Sequence, residues 1–361
     1  METDFNQYPA VIKIIGIGGA GGNAVNRMIS FGVRGVEYIA ANTDAQALHN
    51  SNAGMKLQIG DCLTKGLGVG GDPKLGRQAA LDDEERIREL LAGSDMVFVT
   101  AGMGGGTGTG AAPVIAKIAR ELGILTIGVV TKPFVFEGKV RSMNAEEGVE
   151  NLRANLDTLI VIPNQRLFNV ITIDTTINKA WEQIDDVLRQ SIQSISDVIT
   201  STGLVNVDFN DVKAIMFDAG EAIMGMGESS GESRALRAAE MAITSKLLED
   251  ISIHGARGVL VNITGSNKLT MHEINDAMTL IHNTVSSEAN VFFGQVVDES
   301  MDGRIKVTVI ATNFDRGKKV SDFPKEPQQQ DLFTAQDEEK KGASAEFNLE
   351  EPAFLRKRKS E

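Results

Sequence analysis

Residues 101–114 read AGMGGGTGTGAAPV, and from Gly104 to Gly110 every position but Thr107 and Thr109 is glycine. The cluster ends an apolar run, MVFVTA (96–101), and leads into a helical pattern, PVIAKIARELG (113–123). So much bare backbone between a strand and a helix constrains the chain more than any other stretch. Successive N–H groups in such a loop form an anion-binding nest, and the dipole of the following helix adds to it. The two threonine hydroxyls can donate as well. Pro113 is expected in the first turn of that helix, where a missing N–H costs nothing. The pattern G-x-x-x-x-G-K-[ST] occurs nowhere in the chain, so the loop is not a Walker A loop.

A second cluster, GIGGAGGN (16–23), follows the first apolar run and opens the first helical pattern. Gly16, Gly18 and Gly21 fit G-x-G-x-x-G, the dinucleotide fingerprint, in which glycine lets the backbone approach a phosphate at a helix N-terminus. Taken alone it marks either a nucleotide loop or plain turn glycines. A dinucleotide oxidoreductase has no use for the second loop, whereas two such loops on neighbouring strand ends suit a nucleoside triphosphate. A third segment, GLGVGGDP (66–73), either lines the same rim or is a surface loop.

The runs VIKIIG (11–16), VEYIAA (36–41), MVFVTA, LTIGVV (125–130) and TLIVIP (158–163) are nearly continuous in apolarity, as strands buried on both faces are. Helical patterns lie between them. One is GNAVNRMIS (22–30), with Ala24, Val25, Met28 and Ile29 on one face; another is 113–123, with Val114, Ile115, Ile118 and Leu122 on one face. This rhythm predicts a parallel α/β sheet with right-handed crossovers. Ile177, Trp181, Ile184, Leu188, Ile192, Ile195 and Ile199 then recur at steps of three and four, a helix over about 176–200. At ~1.5 Å per residue it runs ~37 Å, long enough to join two domains. A second block has strand-like runs at 212–218 (VKAIMFD), 258–265, 291–297 and 305–312, and helical patterns at 234–248 and 271–285. The fold class is α/β: a Rossmann-like parallel-sheet nucleotide-binding domain, a long central helix, a smaller α/β second domain and a disordered tail. The expected boundaries are a flexible N-terminus at 1–10, a nucleotide-binding domain at 11–175, the helix at 176–202 and a second domain at 203–314. A charged, aperiodic linker then covers 315–347 and a short apolar and basic docking peptide 348–361.

The net charge of −13 argues against non-specific nucleic-acid binding, which needs an excess of Lys and Arg to displace counterions. One cysteine, Cys62, rules out an intramolecular disulfide, and the histidines stand at no metal-ligand spacing. METDFNQYPAVIK is not a signal peptide and no run approaches ~18 apolar residues, so a cytoplasmic protein with no membrane span is expected.

Two further segments hold chemistry or are ordinary surface. In TKPFVFEGKVR (131–141), Glu137 can accept from ribose hydroxyls and Arg141 can pair with phosphate oxygens, though a charged loop reads the same way. In GLVNVDFNDV (203–212), Asn206, Asp208 and Asp211 form N-x-D-x-x-D. Such carboxylates can orient a water or hold Mg2+, but spacing alone favours an acidic first turn complementing a helix dipole.

Taken in order, GGAGGNAVN, NTDAQAL (42–48), GGGTGTG, PFVFEGKVR, IPNQRL (162–167) and NVDFNDVK closely resemble the FtsZ family of bacterial cell-division proteins, prokaryotic relatives of tubulin. The resemblance covers about 11–313 and resumes in LEEPAFLRKR at the tail. It implies a GTPase, using GTP, GDP and nucleotide-borne Mg2+ with no protein metal site, that assembles head to tail into protofilaments. The implied phosphate-binding residues are Gly19, Ala20, Gly21, Gly22, Asn23, Gly104, Gly105, Gly106, Thr107, Gly108 and Thr109. Glu137 and Arg141 would meet ribose and phosphates, and Asn164, Trp181 and Asp185 would surround the guanine. Trp181 stands where the family usually has Phe, and Gln165 where Asp is commoner. Asp208 and Asp211, supported by Asn206, would complete the hydrolytic site of the next subunit. Pro352, Phe354, Leu355 and Arg356 would dock membrane tethers and division regulators, placing the polymer as a ring at midcell on the inner face of the membrane. The basic end of the tail could also graze anionic lipid. The competing readings are a Rossmann-type NAD-binding oxidoreductase and a non-hydrolysing scaffold filament.

Overall fold

The computed structural model describes residues 10–169, 172, 174–200, 205, 207–245 and 253–314. Asn206, nearly all of the expected flexible N-terminus, the linker at 315–347 and the tail with Pro352, Phe354, Leu355 and Arg356 lie outside the described residues.

In chain order the first half comprises β1 (Ile12–Ile17), α1 (Gly18–Ser30), β2 (Glu37–Asn42), α2 (Ala45–His49), β3 (Met55–Gln58), α3 (Asp61–Thr64), α4 (Pro73–Asp82), α5 (Glu84–Leu91), β4 (Met96–Gly102), α6 (Thr107–Glu121), β5 (Leu125–Lys132), α7 (Lys139–Arg153) and β6 (Thr158–Pro163). It continues with α8 (Ile177–Thr200), α9 (Phe209–Met216), β7 (Gly220–Ser230), α10 (Arg234–Ile243), β8 (Gly258–Gly265), α11 (Met271–Thr284), β9 (Asn290–Val297) and β10 (Arg304–Thr312). The strand order is β3-β2-β1-β4-β5-β6-β7-β10-β8-β9. Strands β3 to β6 are parallel throughout, and every residue of β1 is buried, as apolarity on both faces requires. Their order, 3-2-1-4-5-6, is the doubly wound one, and the chain reverses direction across the sheet between β1 and β4.

Strand β7 joins the two halves. Its first residues pair in parallel with β6, from Thr158↔Gly220 to Ile160↔Ala222. The rest pairs antiparallel with β10, from Ile223↔Ala311 to Ser230↔Arg304. One ladder thus runs through both halves. Helix α8 crosses it, burying Ile184, Leu188, Ile192 and Ile195. Each such side chain contributes ~1.5–3 kcal/mol. That burial outweighs the poor intrinsic helix preference of so many β-branched residues.

The structure corrects several expectations. α6 begins at Thr107, so Pro113 lies inside the helix, not in its first turn. The Gly-Thr loop itself winds into the first turns, and Pro113 leaves the Thr109 carbonyl without its helical donor. VKAIMFD is not a strand: Val212, Ile215 and Met216 are buried at helical spacing on α9. α10 ends at Ile243, and residues 246–248 of the helical pattern expected over 234–248 lie outside the described residues. Leu122 is exposed rather than on the buried face of α6, and Ile177 and Trp181 of the α8 stripe are exposed as well.

Candidate functional site

β1 and β4 pair with Ile17 opposite Ala101, so the loops leaving them start side by side at the switch point. α1 follows β1 with no intervening loop, turned by Gly18 at φ +71. α6 follows four residues after β4. These two helices differ from others in the chain. Asp44, Asp72, Asp208 and Thr270 cap α2, α4, α9 and α11 through their side chains. The N-cap residues of α1 and α6, Ile17 and Gly106, offer no side-chain bond, and neither helix has an acid in its first turn. Both N-termini therefore keep their N–H groups and positive potential free for an anionic partner.

They open on a cavity of about 390 Å³. Its wall takes Gly19, Ala20 and Asn23 from α1, Gly105, Gly106, Thr107 and Gly108 from the Gly-Thr loop, Glu137 and Arg141, and Asn164, Trp181 and Asp185. A Cβ built on Gly19 or Gly105 meets nothing within 4 Å, so both present open backbone. The wall omits Gly21, Gly22, Gly104 and Thr109. Gly21 is packed behind it: a Cβ there would sit 2.4 Å from the Thr100 carbonyl oxygen. Gly104 N–H donates to Thr109 Oγ1 at 2.8 Å, which closes the loop from inside. GLGVGGDP does not line the cavity; it is a surface loop, with Leu67, Gly70, Gly71 and Asp72 exposed. It backs the Gly-Thr loop, with Val69 and Asp72 against Gly106, and Pro73 so near Gly110 that a Cβ there would lie 2.0 Å from its carbonyl oxygen.

Gly18, named by the fingerprint, lies in the wall, and sequence reasoning missed other parts of it: Ile17, Gly102, Met103, Thr131, Pro133 and Ile184. Ile184 carried a signal, standing three residues from Trp181 on one helix face. It also missed Thr43, which shares a 2.7 Å hydrogen bond with Thr107 through their hydroxyls and so fixes the Thr107 rotamer. Phe134 meets the Trp181 ring edge to face at 5.6 Å and fixes the indole at the mouth of the cavity.

Charge is sparse here. Glu137 is already engaged, accepting from Phe134 N–H at 2.8 Å and pairing with Arg141 Nε at 3.1 Å. Asp185 is pushed up to about 6, first by burial; Arg27 opposes this, while Glu182 and Asp186 add to it. Asn164 is 4% exposed, and its Oδ1 has no hydrogen-bond partner. A buried acceptor left open costs ~1–3 kcal/mol, so it points to a donor supplied from the cavity.

Asp208 and Asp211 are brought together, but not here. They stand on the first turn of α9, with Asp208 Oδ1 accepting from Asp211 N–H at 2.8 Å, and neither lines the cavity. α8 separates the two places. Its first turns form the wall at Trp181 and Asp185, and its last residue, Thr200, packs on Gly35 after 24 residues. That is ~36 Å of helix.

Bare helix N-termini side by side at a switch point suit a run of phosphates, and Asn164, Trp181 and Asp185 in the same wall offer polar and aromatic groups that suit a base, as in a nucleoside-phosphate-binding α/β protein. The family model for the GTPase domain of the Tubulin/FtsZ family matches residues 11–172, and that for the C-terminal domain of the FtsZ family matches 220–315. Similar solved structures include an empty dimer of FtsZ from M. jannaschii (41% identity, 91% of this chain and 96% of that one, TM-score 0.84). A mutant of that protein gives 42% identity over 88% and 95%, with TM-score 0.83. The fold is also that of CetZ2 from Haloferax volcanii in a GTPγS-bound protofilament (23% identity, 86% and 95% covered, TM-score 0.73). The chain belongs to the tubulin/FtsZ family and is a GTPase of its FtsZ branch, binding GTP and GDP. This sets aside the oxidoreductase reading. Among the described residues no helix is long and apolar enough to cross a membrane.

Proposed function

We propose that this GTPase assembles head to tail into protofilaments and hydrolyses GTP at the junction between subunits, with Asp208 and Asp211 of one subunit acting on nucleotide held by the next. The observation that carries the reading is the separation of the parts. The cavity has two carboxylates, Glu137 and Asp185. The first is bound to Arg141 and Phe134, and the second lies at the end where a base fits. Neither is placed to activate water beside a terminal phosphate. The other acidic pair, Asp208 and Asp211, follows the far end of α8 in the chain, with the Asp211 carboxylate not used by the cap. Contact between opposite ends of identical subunits is heterologous and does not close, which is the geometry of a filament. The dimer and protofilament in which the relatives were solved are in keeping with this.

Within such a site the uncapped N-termini of α1 and α6 hold phosphates through backbone N–H groups, and Arg141 adds a cation at the wall. Asp185 accepts from the N–H edge of guanine, Asn164 Oδ1 takes one further donor, and Trp181 covers the base face. Asp211, held by the Asp208 cap, orients and polarises the attacking water. The residues fit a triphosphate chain. Mg2+ would arrive on the phosphate oxygens and neutralise their charge. Residues 348–361, through Pro352, Phe354, Leu355 and Arg356, would tether the polymer to membrane-bound partners and regulators as a division ring at midcell.

The test mixes two variants, each without turnover alone: Asp211→Ala, with an intact cavity, and Gly105→Trp, with a blocked one, since a Cβ on Gly105 meets nothing within 4 Å and the ring can fill the cavity. Turnover returning in the mixture, together with GTP-dependent sedimentation of the parent, supports shared sites. Silent mixtures, or wild-type turnover by Asp211→Ala alone, overturn it. A parent that sediments with GTP yet releases no phosphate is a non-hydrolysing scaffold.

A further inference from the structure

Arg27 takes no part in the site as described, yet it faces the base-binding end of α8 from the helix that holds the phosphates. It lies one turn beyond Asn23 on α1, so both residues are on one side of that helix. Its Nη1 is 3.8 Å from Glu182 Oε2 and its Nε 3.9 Å from Asp186 Oδ1. Glu182, Asp185, Asp186 and Arg189 follow at helical spacing and form one face of α8. Asp186 is satisfied from its own helix: Oδ1 accepts from Arg189 Nε at 2.7 Å and Oδ2 from Gln190 Nε2 at 2.6 Å. Arg189 in turn stacks on Phe31 at 4.4 Å, where Arg27 also lies at 5.2 Å. The buried Nε of Arg27 has no hydrogen-bond partner, so the guanidinium meets Glu182 and Asp186 at ion-pair range with no hydrogen bond from Nε.

We propose that Arg27 is a positioning residue for base recognition: from α1 it supplies the counter-charge that lets Asp185 present a carboxylate, and not a neutral carboxyl, to the N–H edge of guanine. The inference rests on the reading of Asp185 as the guanine acceptor. The physical need is plain. Burial disfavours the charge on Asp185 first, and three acids within five residues repel one another besides. The groups acting on it are Arg27 from α1, which favours the ionised form, and Glu182 and Asp186 from α8, which oppose it. A carboxylate accepts two N–H donors, while a neutral carboxyl has a proton of its own in the way. Only the ionised form separates guanine from adenine. The same bridge ties the phosphate-holding helix to the base-reading helix, so both ends of the nucleotide are read by elements held in register.

The test uses the full chain and measures GTP and ATP affinity from pH 5 to 8 for the parent, Arg27→Gln, Arg27→Lys and Asp185→Asn. The parent loses GTP affinity as pH falls through about 6, the value to which Asp185 is pushed. In Arg27→Gln the midpoint moves up by about one pH unit, as loss of a nearby opposite charge requires, with GTP affinity at pH 8 within about threefold of the parent. Arg27→Lys restores the parent midpoint. An Arg27→Gln midpoint equal to the parent's, or an equal loss of affinity at every pH, overturns the proposal, because a purely structural role has no pH signature. Failure of the underlying reading looks different: Asp185→Asn would keep the parent's preference for GTP over ATP, and the parent would show no midpoint near 6.

Discussion

Asp208 caps the helix on which Asp211 stands, its Oδ1 accepting from the Asp211 N–H at 2.8 Å. The pair therefore has a structural and a chemical duty that substitutions can separate. Asp208→Asn keeps an N-cap and removes the charge, whereas Asp208→Ala removes both. The alanine variant should lose ~1 kcal/mol of stability and the asparagine variant only a few tenths. Both should lose turnover, and Asp211→Ala should lose about a hundredfold or more with unchanged melting and unchanged GTP binding. Calorimetry alongside phosphate release makes the comparison. Loss of turnover that tracks loss of stability across the three variants would reduce the pair to a helix cap.

Gly19 and Gly21 are two residues apart and should answer opposite questions. A Cβ on Gly21 would lie 2.4 Å from the Thr100 carbonyl oxygen and 2.9 Å from the Gly16 carbonyl carbon, both backbone atoms that cannot turn aside. Gly21→Ala should cost roughly 1–3 kcal/mol or more and lower the melting temperature. A Cβ on Gly19 meets nothing within 4 Å. Gly19→Ala should melt at or above the parent temperature, since alanine favours helix over glycine by up to about 1 kcal/mol. Its methyl group would stand where a phosphate oxygen approaches, so GTP affinity should fall about tenfold or more, ~1.4 kcal/mol. Unchanged affinity in Gly19→Ala would remove the N-terminus of α1 from the phosphate site.

Much of this was legible because buried parallel strands announce themselves. TLIVIP and GVLVNITG coincide with β6 and β8 residue for residue, both being largely apolar and rich in Val, Ile and Leu. What stayed hidden has physical causes. Continuous apolarity fits a short buried helix as well as a strand, and in α9 the deciding signal was the Asp208 cap, not the hydrophobic run. GEAIMGMGESS does not read as a strand because glycine usually breaks one. In β7 Gly227 is there for packing, since a Cβ would lie 2.1 Å from the Ala238 carbonyl oxygen of α10. In the site, the two glycine loops were plain from composition. Neither Thr43 behind Thr107 nor Phe134 against Trp181 was, because partners so far apart in sequence meet only in the fold.

Asp185 also predicts how the nucleotide-free protein responds to pH. Its folded value is raised to about 6 from an ordinary 3.8, with burial the main cause. A raised carboxyl favours the folded state while it is protonated, and that contribution is lost as pH rises from about 4 through about 6. Asp185→Asn removes the penalty. The variant should melt above the parent at pH 7–8 and together with it at pH 4, with the gap opening between. A gap of equal size at both ends of the range would mean that packing, not ionisation, sets the cost.

Trp181 is the one tryptophan of the chain, 41% exposed, on the cavity wall and against Phe134. Its emission is therefore a report on that wall alone. A base stacked on the indole removes water from one face, so adding GTP or GDP should quench or blue-shift the fluorescence, and the signal should saturate at one nucleotide per subunit. Trp181→Phe should abolish the signal while keeping affinity within a few-fold, because an aromatic face remains. Trp181→Ala should weaken binding by ~0.5–1.5 kcal/mol, the worth of an aromatic stack, which is about two- to twelvefold. Equilibrium binding followed by a method blind to tryptophan separates loss of signal from loss of affinity. If Trp181→Ala bound as tightly as Trp181→Phe, the indole would be a bystander at the mouth, and the base would be held by Asp185 and Asn164 without a stacking partner.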